Sequence, residues 1–138
     1  MTARLLVTFG ILLYAFAVPV LEVNATHLLN PYWVAHARLH EAWQLATNTS
    51  IGLLSLWLAW RRNEIRIPAF LTFTVAGGFL VAYALRDAYG GSMRHTDGSE
   101  LTALGFNVGV IGFGVAVALA AIALVLARNS RDPSESET

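Results

Sequence analysis

Residues 101–127, LTALGFNVGVIGFGVAVALAAIALVLA, hold no charged side chain, and Thr102 and Asn107 are their only polar ones. About 20 mainly apolar residues suffice to cross the roughly 30 Å of hydrocarbon in a bilayer, so this stretch reads as a membrane span. Outward from it, Leu5–Val23, Glu41–Trp60 and Ile67–Arg86 meet the same test. The chain has 138 residues, 56% of them apolar and 13% charged. That length allows one domain, and a soluble core of that size cannot hide so much apolar surface. The expected fold is all-α: a four-transmembrane-helix bundle with short loops and both termini on the same side, an integral, multi-pass membrane protein.

The breaks between the spans have their own chemistry. Asn30-Pro31 reads as an N-cap with proline at the first helical position, so the second helix is expected from 31 onward, with 41–60 as its membrane part. Arg61–Arg66 is a charged turn, and Pro68 opens the third helix. Asp97-Gly98-Ser99-Glu100 resembles a capping box ahead of the fourth. One domain then covers 1–128, and the Ser/Glu-rich tail 129–138 is expected to be disordered. Gly105, Gly109, Gly112, Gly114, Ala116 and Ala120 permit close helix approach, either within the bundle or in a homo-oligomer.

Orientation follows the basic residues. Arg4, Arg61, Arg62, Arg66, Arg128 and Arg131 fall on one side, against Arg38, Arg86 and Arg94 on the other. The positive-inside rule places both termini in the cytoplasm and the 24–40 and 87–100 loops outside. Trp57 and Trp60 at one level, with Tyr32, Trp33 and Trp43 at the other, suit the two aromatic belts. Arg4, the first apolar run and Val23-Asn24-Ala25 also satisfy a cleaved signal-peptide pattern. The run is long for that purpose and long enough to span, so it is kept as a helix.

Composition excludes several functions. Formal net charge is zero and no basic stripe interleaves with aromatics, so no nucleic-acid partner is expected. With no cysteine, disulfides, thiolate metal sites and a Cys nucleophile drop out. The inner half of the spans carries few polar groups, which argues against a channel.

All four histidines, His27, His36, His40 and His95, lie on the expected external side. On the second helix, His36, His40, Gln44, Thr47, Asn48 and Ser55 fall in an arc of roughly 120°. Glu41 borders that arc and Arg38 points away. Counted back from Trp60 at about 1.5 Å per residue, His40 sits near the outer hydrocarbon boundary. Gln44 and Asn48 are roughly 6 and 12 Å deeper. A polar stripe in an apolar helix is expected to face the bundle interior or a wet cavity. Tyr83, Arg86 and Asp87 at the end of the third helix, Asn107 on the fourth and Glu22 at the end of the first complete an expected pocket in the outer leaflet.

Two chemistries suit those residues. His36 and His40 stand one helical turn apart, a spacing that chelates one divalent metal ion, with His27 as a third ligand or with His95, Glu41 or Asp87 completing the set. Without a metal, His40 or Glu41 at the hydrocarbon boundary serves as general acid or base. Arg86 then holds an anionic group, while Gln44, Asn48 and Asn107 orient a hydroxyl or carbonyl.

The stretch Asn24–His40, NATHLLNPYWVAHARLH, resembles the signature of an uncharacterised family of small four-helix membrane proteins. The matching elements are Thr26-His27, Asn30-Pro31-Tyr32-Trp33 and His36-Ala37-Arg38-Leu39-His40; Val34-Ala35 stands where that signature has Pro-Pro. The resemblance implies the four-span fold and no activity. Membrane desaturases need more histidines than this chain has, and sterol-isomerase-like bundles offer only a loose analogy. The expected function is binding, with or without turnover, of a small amphipathic molecule from the surrounding lipid. The alternative is a non-enzymatic accessory or assembly subunit whose polar end docks a membrane-protein partner.

Overall fold

The computed structural model describes residues 1–129, which are mostly helical. α1 (Thr2–Leu12), a π-helical turn (Leu13–Ala17) and α2 (Val18–Glu22) follow one another without a break and form the first rod. Next come α3 (Ala35–Arg61), α4 (Arg66–Ala84) and a single turn, α5 (Arg86–Tyr89). A hairpin of β1 (Thr102–Ala103) and β2 (Phe106–Asn107) leads into α6 (Val108–Asn129). Three helices are long and apolar enough to cross a membrane: Thr2–Glu22, Arg66–Ala84 and Val108–Arg128. At 27 residues α3 is longer than any of them, but His36, His40, Gln44 and Asn48 dilute its hydropathy.

Small residues let the helices approach closely. The core joins Val7, Ile11, Tyr14 and Ala15 of the first rod to Ala59, Ala69 and Ala123 of α3, α4 and α6. A Cβ on Gly52 would lie 2.2 Å from the Ala15 Cβ, so only glycine lets α3 sit this close. On α6, Ala116, Ala120 and Ala123 are fully buried, whereas Gly112 and Gly114 border open space. The alanines therefore serve packing inside the bundle.

A second tie between the first rod and α3 starts from Pro19. Proline has no N–H, so the carbonyl of Ala15, four residues earlier, lacks its ordinary helical donor. Thr49 Oγ1 on α3 donates to that carbonyl at 3.1 Å. The π-helical turn, rare within an α-helix, ends two residues before this proline. Farther along, Trp60 Nε1 donates to Thr8 Oγ1 at 3.0 Å, and the Arg4 guanidinium lies 5.2 Å from the Trp60 ring. Arg4 also donates to Asn63 Oδ1, so this end of the bundle is cross-linked by the basic residues and tryptophans.

Helix starts differ from those expected. α3 begins at Ala35, not at Pro31, because Asn30 builds a loop turn instead of capping a helix. Its buried amide accepts from the Tyr32 N–H at 2.9 Å and donates to the Thr26 carbonyl at 3.1 Å. α6 begins at Val108, not at Leu101. Leu104 and Gly105 both take positive φ, 54° and 81°, and close a two-residue turn that pairs Thr102 with Asn107 and Ala103 with Phe106. Asn107 Oδ1 then accepts from the Gly109 N–H at 2.8 Å and caps α6. Asp97 binds Ser99 through N–H and hydroxyl, at 2.9 and 2.6 Å, within a loop. The tail expected to be disordered lies, from residue 130, outside the described residues.

Replacing Gly52 by Leu forces the first rod and α3 apart and is expected to cost about 1–3 kcal/mol, the usual range for overpacking. Thr49→Val strands a carbonyl and is expected to cost about 1 kcal/mol. Gly78→Leu, on open space, serves as the neutral control. Thermal unfolding in detergent, followed by circular dichroism, checks the order; a Gly52→Leu protein as stable as Gly78→Leu would refute the packing account.

Candidate functional site

α3 turns its small face inward. Leu45, Gly52, Ser55 and Ala59 are its buried residues. At about 100° per residue, His36, His40 and Thr47 point well away from that face, and Gln44 lies at its border; all four are exposed. The expected stripe is therefore divided: its His36, His40 and Thr47 side faces outward, whereas buried Ser55 and half-buried Asn48 lie on the inward arc. His36 Nε2 and His40 Nε2 are 3.0 Å apart, and the His40 ring lies 5.8 Å from Trp43. Gln44 and Asn48 make no side-chain hydrogen bond among the described residues. Glu41 is half-buried and close enough to Glu22 for their charges to interact.

The expected anion holder on the third helix is engaged with its own helix end. Arg86 donates to the Tyr83 carbonyl at 2.8 Å, lies 4.3 Å from the Tyr83 ring, and stands 3.8 Å from the exposed Asp87 carboxylate. Neither Tyr83, Arg86 nor Asp87 lines the main cavity near the histidines.

That cavity, about 360 Å³, opens between the first rod and α6. Its walls are apolar: Leu13, Val18, Leu21 and the stacked Phe79 and Phe113, whose ring centres are 4.2 Å apart. Its end is polar and is formed by Glu22, Asn24, Thr26, His27, His95 and Asn107. Of the residues expected to form the pocket, Glu22, His27 and Asn107 are here. The expected metal set of His27, His36 and His40 is split, since His27 faces His95 while His36 faces His40. Among the described residues no three His, Asp or Glu side chains gather as metal ligands.

The polar end can be read proton by proton. Asn24 Nδ2 donates to the Leu21 carbonyl at 2.5 Å, which fixes the amide's orientation. Its Oδ1 accepts from the Thr26 and His27 N–H groups and from the Thr26 hydroxyl, at 2.7, 3.2 and 2.7 Å. A hydroxyl has one proton. Having donated it to Asn24, Thr26 Oγ1 must accept across its 2.9 Å contact with His27 Nδ1, so Nδ1 carries hydrogen. In the neutral imidazole Nε2 is then a bare acceptor, and it stands 3.2 Å from Glu22 Oε2. Two acceptors do not hold such a contact. One further proton is therefore shared between His27 and Glu22, and the Asn24–Thr26–His27–Glu22 chain is a proton-holding device at the head of an apolar cleft.

Burial, and then the neighbouring His95 ring 4.9 Å away, push the His27 pKa below its ordinary value. Asp97, on the same loop as His95, is held below the usual carboxylate range by its hydrogen bonds from Ser99. Asn107 is positioned by its capping role, and its Nδ2 donates to Glu100 Oε1 at 3.1 Å. His27 and Glu22 meet at the polar end of the cleft, whereas His40 and Glu41 do not line it. A signal for Glu22 was present, since it is the only acidic residue in the first apolar run. No pattern marked Leu13, Phe79 or Phe113, because aromatics and leucines in a span are ordinarily lipid- or core-facing.

A lowered histidine pKa has a definite sign. Between the folded value and the ordinary one, about 6.5, the unfolded loop binds more protons than the folded one. Taken alone, His27 therefore favours the folded loop fully above about pH 6.5 and less as pH falls through that window, while the proton held between His27 and Glu22 belongs to the pair and acts in the opposite direction. Trp33 packs edge-on to His27 at 6.1 Å and reports on it. Trp33 fluorescence, taken as the difference from Trp33→Phe, is expected to change on acidification, and His95→Gln to move the midpoint upward; an unmoved midpoint would remove His95 from the account. The site has to be read from its own geometry, because no protein-family model, curated protein or solved structure matches the chain.

Proposed function

We propose that this chain is a four-span membrane protein that binds a small amphipathic molecule in the cleft between its first rod and α6. α3 acts as the fourth span, both termini are cytoplasmic, and the histidine-bearing loops are external. The arginine distribution and the Trp57/Trp60 belt support that orientation. The observation that carries the function is a cleft with apolar walls ending on Glu22, His27, His95 and Asn107. Such a site takes a molecule whose tail is hydrocarbon and whose head is polar.

The lining narrows the class. Among the described residues no Arg or Lys lines this cavity, so nothing there holds an anionic head, and the amide and imidazole groups suit a hydroxyl or a carbonyl. Asn107 and His95 orient it. The proton shared by His27 and Glu22 is the group offered to its oxygen, as a hydrogen bond or as general acid. The access route is from the lipid, along Leu13, Val18 and Phe113, where the rod and α6 part.

Gly112 lines the cleft, and a Cβ placed there meets nothing within 4 Å. Gly112→Leu therefore fills the cleft while leaving the protein's own contacts in place. A photoreactive diazirine analogue of a long-chain alcohol, in nanodiscs, is expected to label peptides containing Leu13 and Phe113, and to lose most of that labelling in Gly112→Leu. Equal labelling of both proteins would sink the proposal. Orientation has its own measurement on this cysteine-free chain: Leu28→Cys is expected to react with an impermeant maleimide from outside intact cells.

A further inference from the structure

The outward stripe of α3 is the largest polar feature that the cleft does not use. Its outer end is His36 and His40, with Nε2 atoms 3.0 Å apart and ring planes crossed at 79°. Both rings stand on the exposed side of α3. Two imidazoles on a tetrahedral divalent ion, at about 2.0–2.1 Å each, stand roughly 3.3 Å apart. The pair is thus within a few tenths of an ångström of the bite of a chelating clip. One chain supplies two ligands, and no third His, Asp or Glu joins them among the described residues.

Below the clip, the same face says what completes it. Gln44 and Thr47 are exposed, and neither makes a side-chain hydrogen bond among the described residues. In hydrocarbon such groups need partners from another protein surface. Ser50, by contrast, is satisfied within its own helix, donating to the Ala46 carbonyl at 2.8 Å. The stripe holds no Asp, Glu, Lys or Arg, and its amide and hydroxyl members both donate and accept. A two-fold axis along the membrane normal sets like residues opposite like at equal depth. Uncharged groups with both functions are the ones that pair with their own copies there. Trp43, exposed beside His40, adds apolar area to the same face.

We propose that His36 and His40 are one half of a four-histidine site for a divalent transition-metal ion, completed by the same pair of a second copy docked along the stripe of α3. Imidazole nitrogen as sole ligand and tetrahedral closure favour a zinc-like ion. Thr47, with Gln44 at the border of the face, hydrogen-bonds across the two-fold below the metal. This inference is independent of the cleft and its ligand; it uses only the reading of α3 as a span.

The test uses the full chain in nanodiscs, with Zn²⁺ and Co²⁺ as the probes. Zinc titration is expected to saturate at one ion per two chains, and Co²⁺ to give the strong visible absorption of a tetrahedral centre. His36→Ala and His40→Ala, both at exposed positions, are expected to weaken binding at least a hundredfold while melting behaviour stays unchanged. Thr47→Cys is expected to form a disulfide dimer on mild oxidation, faster with Zn²⁺, whereas Ile122→Cys on the exposed face of α6 forms none. One ion per chain, zinc binding that survives both alanine variants, or Thr47→Cys cross-linking no faster than Ile122→Cys would each overturn the proposal.

Discussion

The contact of Gly52 with Ala15 sets the rest of the outer half of this bundle. A Cβ at position 52 would overlap the Ala15 side chain, so the face of α3 that meets the first rod must be the one bearing Gly52. Ser55 and Ala59 lie on that face and Leu45 continues it. Once it is turned inward, helical geometry leaves no choice for His36, His40 and Thr47, which face outward, and sets Gln44 at the border. The Thr49 bond to the Ala15 carbonyl fixes the same rotation from a second direction. A proline in the first rod and a glycine in α3 thus determine which polar groups meet the cleft and which meet the surroundings.

With α3 rotated this way, the cleft has to be furnished from elsewhere. The loop after the first rod does it. Asn24 and Asn30 spend their side chains on backbone groups of the loop, folding it so that His27 comes back over Glu22. The loop before the hairpin brings His95 against His27 from the other side. The hairpin places Asn107 at the start of α6, where its carbonyl oxygen is used as a cap and its amide still lines the cavity. Each of these polar residues has a structural task, and the head of the cleft is assembled from their remaining surfaces.

Much of this was legible in the sequence and some was not, for physical reasons. Apolar length marked the helices around residues 5–23, 67–86 and 101–127, because burial in hydrocarbon depends on composition over about 20 residues and not on detail. Helix starts were misplaced at Pro31 and Leu101. Asn-Pro and Asp-Gly-Ser-Glu fit turns as well as caps, and the choice rests on tertiary contacts such as the burial of Asn30. The polar stripe was seen, but its His36, His40 and Thr47 side was assigned the wrong face. Periodicity gives the angular width of a stripe and not which way the helix is rolled, and here a row of small residues outweighed a row of polar ones. Glu22, His27 and Asn107 were named for the expected pocket, yet Thr26 was not, and the chain of single hydrogen bonds that joins these residues is one that no spacing rule reveals.

The four histidines consequently separate into two pairs of different character. His27 and His95 meet edge to face in a half-buried loop junction, where a second charge is costly and a single proton is held against Glu22. His36 and His40 meet on an exposed helix face, their Nε2 atoms 3.0 Å apart, and among the described residues no third His, Asp or Glu gathers with them. The first environment suits a neutral imidazole that exchanges one proton with a bound oxygen. The second suits imidazoles that lend lone pairs to something arriving from outside the chain. Their common crowding at one end of the sequence pattern concealed this, because linear spacing puts His27 only nine positions from His36 while the fold turns one toward the cleft and the other away from it.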